Sequence, residues 1–301
     1  MYSGFSHSVM GASHEKKGIV CQDSSSHKVA DRYAICVVAD GHGSKKHFRS
    51  NIGSQAAVEA AIETIERFYQ DPDAFETEFP ANHKRIIRNI EKQIITLWNQ
   101  KVNEHHDAHP VTAVEKKKFT PDEFAAIPVE SYYGTTLIAA VVSEKFSFGI
   151  QIGDGSLVAV LDSGETIMPM EYEESNPANI TSSMCNQNAA KMFESFYIEG
   201  KQVLALFAST DGLYTSFGSE YDFLDYHTIL TSQLVNLEEF VPAVEKNIVK
   251  RSHFGTEDDI SLSCVCNPAL IGEQLETLNA KIAENKEHAQ ARKARRIRRN
   301  T

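Results

Sequence analysis

Carboxylates stand at the ends of apolar runs throughout this chain. Asp40 follows "YAICVVA" (33–39) and is itself followed by Gly41, His42 and Gly43. Asp154 lies between two glycines after "FSFGIQI", Asp211-Gly212 closes "VLALFAST", Asp258 and Asp259 precede "ISLSCVC", and Asp23 sits in "CQDSS". A single Asp-Gly is most economically a turn, as in "DSGE" at 162–165. Repeated at strand mouths, the pattern asks for more. Several carboxylates converging at one end of a sheet repel one another unless a cation neutralises them, and hard divalent ions such as Mg²⁺ and Mn²⁺ take oxygen ligands. Aspartate holds its oxygens close to a rigid strand, and the following glycine lets the backbone turn sharply with its carbonyl near the ion. His42 is required by no turn.

Elements must bring these acids together. Short runs rich in Val, Ile, Leu and Phe predict strands at 33–39, 136–142, 146–152, 156–162, 203–209 and 260–266. Those in 136–165 follow one another through tight connections and read as an antiparallel meander of three strands. Apolar residues at three- and four-residue spacing predict helices over 50–70 (Val58, Ala61, Ile62, Ile65) and 84–102 (Ile87, Ile90, Ile94, Trp98), and a helical pair over 222–251. Strands in runs and helices in runs give an α+β layered domain, a mostly antiparallel sheet pair covered by helices. Residues 103–131 are polar and punctuated by proline, with a helix start at Thr120-Pro121, and read as an insertion or long connection. After Pro268 the chain is helical and then basic, so the expected division is a catalytic domain at 1–268 and a basic C-terminal helix or tail at 269–301.

Composition narrows the setting. The chain has 301 residues and a net charge of −11. Residues 281–301 hold eight Lys/Arg and two Glu, whereas the first 280 hold 22 Lys/Arg against 39 Asp/Glu. So acidic a body is not a nucleic-acid surface. The tail is expected to dock an acidic partner, a membrane surface or nucleic acid, or simply to solubilise the chain end. No segment reaches the roughly 18 consecutive apolar residues of a membrane span, and the N-terminus lacks a signal-peptide pattern. Five scattered cysteines read as buried thiols, which places the chain in the cytoplasm by default. "HHDAH" at 105–109 lacks the glutamate of a zinc helix and reads as a solvated helix end, and no P-loop is present.

In order along the chain, "GASHEKKGIVCQD", "VVADGHG", "YGTTL", "IGDGSL", "FASTDGLY" and "DDISLSCV" resemble the protein phosphatase 2C family, metal-dependent Ser/Thr protein phosphatases, in its bacterial branch. The resemblance implies a two-sheet sandwich flanked by helix pairs, with two Mg²⁺ or Mn²⁺ ions at one end. It makes Asp40 the bridge between the ions, gives the Gly41 carbonyl to the second, and gives Asp211 and Asp258 to the first. Asp154, with Asp211, matches the site of a third and weaker ion, and Asp23 touches the second ion's shell through water. A metal-bridging water then attacks phosphorus without a covalent intermediate, and His42 is the candidate general acid.

Three departures stand out. Gly18 occupies the position of the family's phosphate-gripping arginine, which leaves Lys16 and Lys17 as substitutes that lack arginine's bidentate fork. Gln22 replaces a metal-linked glutamate of eukaryotic members. Asp259 replaces the usual asparagine after Asp258, so either acid is a candidate ligand, with position favouring Asp258. Residues 165–200 fall at the family's flap, with Asn179-Ile180-Thr181-Ser182 near its entrance and "EYEES" as an acidic face for basic phosphopeptides. The expected partners are phosphorylated proteins, in opposition to a Ser/Thr kinase, and the expected state is a monomer. A catalytically silent phosphoprotein-binding homologue is the alternative.

Overall fold

A computed structural model describes residues 1–170 and 182–299, and the side chains of 1–170 and 182–292. The expected "EYEES" and Asn179–Thr181 positions therefore lie outside the described residues. From the N-terminus, β1 (Ser3–Val9), the short α1 (Ala12–Lys17), β2 (Ser24–Val29) and β3 (Tyr33–Ala39) lead to two long helices, α2 (Ser50–Phe68) and α3 (Pro72–Ala108). The small α4 (Ala113–Lys116) and α5 (Pro121–Ala125) return the chain to β4 (Leu137–Ser143), β5 (Phe146–Ile152), β6 (Ser156–Leu161) and β7 (Thr166–Ile167). Then come β8 (Glu194–Glu199), β9 (Val203–Ser209), α6 (Asp211–Thr215), α7 (Glu220–Gln233), α8 (Leu237–Arg251), β10 (Ile260–Cys266), α9 (Pro268–Glu273) and α10 (Leu275–Arg299).

Two antiparallel five-stranded sheets form, in the orders β1-β10-β9-β6-β7 and β2-β3-β4-β5-β8. Alternation within β3 shows why its sequence reads as an unbroken apolar run. Tyr33, Ile35 and Val37 face the helices α2 and α3, while Ala34, Cys36 and Val38 meet Leu206, Ala208 and Val265 of the other sheet. A strand covered on both faces has no polar side to display. The outer layers are α2 and α3, whose Ile90, Ile94 and Trp98 pack on one sheet, and α7 and α8 with α10, which bring Phe223, Ile248 and Leu278 onto the other.

The three-strand meander is corrected. β4 and β5 pair, but β6 pairs with β9 in the opposite sheet. Gly153-Asp154-Gly155 is thus a crossover between sheets. Gly153 turns at φ +113°, and a Cβ on Gly155 would meet the Ser209 carbonyl oxygen at 2.6 Å, so the crossover is held tightly against the end of β9. The helix expected at 84–102 is longer, running from Pro72 with a break in helical geometry at Asn82, two residues after Pro80. At its C-terminal end His105 Nδ1 lies 2.8 Å from the Tyr133 hydroxyl. No described helix is long and apolar enough to cross a membrane.

Candidate metal and phosphate site

One end of the sandwich opens into a cavity of about 540 Å³, where Asp23, Asp40, Gly41, His42, Asp154, Asp211 and Asp258 meet. Each of the five acids arrives from a different strand end. Asp40 emerges from β3 with its backbone gripped by the "GTT" segment. Its N–H donates to Thr136 Oγ1 (2.9 Å), while its carbonyl accepts from Thr135 Oγ1 (2.8 Å) and from the Thr136 N–H (2.8 Å). Next to it, a Cβ on Gly41 would lie 2.5 Å from the Gln22 carbonyl oxygen and 2.8 Å from that of Ser50, so only glycine fits between them. The His42 N–H donates to the Gly134 carbonyl (3.1 Å), and its ring lies 5.0 Å from that of His47.

Asp23 is buried and accepts from Thr210 Oγ1 (2.7 Å), the residue before Asp211. Asp211 opens α6 and lies within hydrogen-bonding reach of Asp40. Such crowding sets the electrostatics. Burial first, then the charges of Asp23, Asp211, Asp154 and Asp258, push the Asp40 carboxyl well above the ordinary carboxylate range. Burial likewise raises Asp23, against the lowering hydrogen bond from Thr210. Asp211 is pushed up to about 6 by burial and by Asp154 and Asp258. Burial lowers His42, with Asp154 pulling it up and Lys46 pushing it further down.

Asp258 and Asp259 both line the cavity, and they differ in their hydrogen bonds. Asp259 is buried with both oxygens occupied: Oδ1 accepts from the Gly11 N–H (2.6 Å), and Oδ2 accepts from the Gln22 N–H (2.7 Å) and lies 3.0 Å from His14 Nδ1. Asp258 is exposed at the cavity. Just before it, Glu257 adopts the left-handed conformation (φ 59°) that non-glycine residues rarely take. The Ser252 hydroxyl, 2.8 Å from the Asp258 carbonyl, braces the same turn.

Lys16 and Lys17 are not brought to the cavity. Lys16 Nζ pairs with Glu257 Oε1 at 2.9 Å on the outer surface, and Lys17 does not line the cavity either. The physical reason is α1, which ends at Gly18 in the left-handed C-cap conformation (φ 65°, ψ 31°). Residues that sequence reasoning did not single out do line the cavity: His14, Lys46, His47, Ser183, Cys185 and Asn186. Lys46 and His47 follow directly on "DGHGSK", so proximity to Asp40 in sequence was the available signal. Ser183–Asn186 fall within the 165–200 segment expected as a flap, though no residue there was singled out beyond Ser182, and they reach the site through bonds of the Ser183 hydroxyl (3.1 Å) and the Met184 N–H (2.9 Å) to the Thr135 carbonyl.

The donor set suits a hard divalent ion: carboxylates and a glycine carbonyl, mutually repelling, at a water-accessible cavity. Among the described residues no three His, Cys, Asp or Glu side chains stand together as a ready ligand group.

A family model described as protein phosphatase 2C matches residues 10–247. That match stops short of Asp258, whose placement rests on the geometry above. Among solved structures, a point-mutant form of a bacterial serine phosphatase aligns with 13% identity, 89% of this chain, 99% of that chain and a TM-score of 0.51. A C. elegans sex-determining protein aligns with 12% identity, 91% of this chain, 67% of that one and a TM-score of 0.52. At such identities they show the fold. No curated protein matches the chain in sequence.

Proposed function

From the premise that the chain belongs to the protein phosphatase 2C family, a family of serine/threonine phosphatases, we propose that it is an active, metal-dependent phosphoserine/phosphothreonine protein phosphatase. The observation that carries this is the convergence of Asp23, Asp40, Asp154, Asp211 and Asp258, from five separate strand ends, on one cavity beside His42. Asp40, Asp211, Asp258 and the Gly41 carbonyl are the residues for two Mg²⁺ or Mn²⁺ ions, with Asp154 and Asp211 for a weaker third and Asp23 acting through water. Ions bound there supply positive charge and an acidified water at neutral pH.

The chain's own residues do the rest. Thr135 and Thr136 fix the Asp40 backbone, and Thr210 orients Asp23. As water adds to phosphorus and the ester P–O bond breaks, His42 hands a proton to the departing serine or threonine oxygen. Its lean toward the neutral imidazole is offset by the incoming phosphate, whose negative charge favours the protonated ring. The substrates are phosphoproteins, set against a Ser/Thr kinase.

Gly18 favours a second reading, a silent phosphoprotein-binding homologue, because the family's phosphate-gripping arginine is absent there. Phosphate release from a phosphothreonine peptide by the Mn²⁺-loaded protein separates the two. Turnover supports the enzyme, and retention of the peptide without release supports the binding module.

A further inference from the structure

Gly18 poses a question of its own: a phosphatase site crowded with carboxylates needs a cation to receive a dianionic phosphate. The backbone at Gly18 is left-handed, so a side chain there is strained whatever its chemistry. The nearby cations are occupied elsewhere. Lys16 pairs with Glu257, Lys45 pairs with Glu123 at 3.3 Å and sits over the Phe119 ring, and the buried Arg49 is held by Glu115, the His109 carbonyl and the Tyr133 hydroxyl.

Resting on the phosphatase reading, we propose that Lys46 is the phosphate-gripping residue of this chain, replacing from the loop after Asp40 the arginine that α1 lacks. Lys46 is exposed and is the one Lys or Arg among the described residues that line the cavity. His42 and His47 line the same cavity, so Lys46 shares it with the histidine to which the phosphatase reading gives the leaving group. Lysine acts there as a movable point charge, which tolerates a range of phosphate poses that a rigid guanidinium fork would not. The loop that carries it is anchored on both sides, by the His42 N–H on the Gly134 carbonyl and the Arg49 N–H on the Tyr132 carbonyl.

The test uses the full chain with Mg²⁺ and two readouts: direct binding of inorganic phosphate by ³¹P NMR, and p-nitrophenyl phosphate kinetics with inorganic phosphate as competitor. Lys46→Gln is expected to raise both KM and the phosphate inhibition constant about tenfold or more, the loss for a charge-assisted hydrogen bond, with a smaller change in kcat. Lys46→Arg is expected to retain most of the binding. Lys45→Gln, which removes the same charge one residue away, is expected to stay within about twofold of wild type, less than one such bond. An active wild type whose phosphate binding is unchanged by Lys46→Gln overturns the assignment while leaving the phosphatase reading intact. A wild type that neither binds phosphate nor turns over overturns both.

Discussion

Arg49 joins the cavity end of the molecule to the segment that follows α3, and removing it gives a quantitative test of that join. Its guanidinium donates to Glu115 through Nε (2.8 Å) and Nη2 (3.2 Å), and through Nη1 to the His109 carbonyl (2.8 Å) and the Tyr133 hydroxyl (3.0 Å). Burial raises the Glu115 carboxyl, but the bonds from Arg49 and from the Thr112 N–H and hydroxyl outweigh it and hold the group at about 2, below its ordinary 4.5. At about 1.4 kcal/mol per decade the net stabilisation of the ionised form is about 3.5 kcal/mol. Arg49 and Thr112 share it, so the Arg49–Glu115 coupling is about 1.5 kcal/mol. Arg49→Met should lose about 3 kcal/mol in all, because the His109 carbonyl and the Tyr133 hydroxyl also lose a donor.

The assay is a double-mutant cycle of Arg49→Met and Glu115→Gln by urea unfolding at pH 7. A depressed carboxyl contributes stability that is present above the unfolded value and lost as pH falls through the folded one. The gap between wild type and Arg49→Met should therefore narrow as pH drops from 4.5 toward 2. A coupling below about 0.5 kcal/mol, the range of an exposed ion pair, refutes the reasoning.

Two further outcomes follow from buried carboxylates. Burial pushes Glu91, on the sheet-facing side of α3, up to about 7 from its ordinary 4.5, so its stability is full below 4.5 and is lost as pH rises through 7. Glu91→Gln should match wild type in unfolding midpoint near pH 4 and exceed it at pH 8, by at most about 3 kcal/mol; equal midpoints at both pH values would remove the basis for this. Asp259→Asn places an NH₂ donor against one of the two backbone N–H groups that Asp259 accepts from, and should cost about 1–3 kcal/mol together with much of the Mn²⁺-dependent turnover. A variant as stable and active as wild type would show that the asparagine usual in the family serves equally here.

Much of this was legible before any coordinates, and what was not has a common cause. β3, β4, β5, β6, β9 and β10 declare themselves because both faces are covered, whereas the described strands that passed unnoticed, β1, β2, β7 and β8, are all sheet edges. β1 and β2 face each other with polar side chains, Ser6 on His27 (3.0 Å) and Ser8 on Ser25 (2.8 Å), which leaves no apolar run to find. β6 read as the third strand of a meander because a tight Gly-Asp-Gly connection looks the same whether it turns within a sheet or crosses to the other. The acids were readable because each stands at the end of a rigid strand. Lys46 was not singled out, because Lys16 and Lys17 stand next to the missing arginine in sequence and only the fold shows that neither lines the cavity.

The measurement that bears most directly on the central claim is phosphate release from a phosphothreonine peptide at pH 7 with Mn²⁺, comparing wild type with Asp40→Asn and Asp211→Asn, each checked for an unchanged unfolding midpoint. Turnover by the wild type that disappears with chelator and falls by at least about a hundredfold in both variants is the predicted result, since on the proposed reading each variant would remove a carboxylate that holds the ions. Wild-type turnover that persists in chelator, or survives undiminished in folded Asp40→Asn, would contradict it.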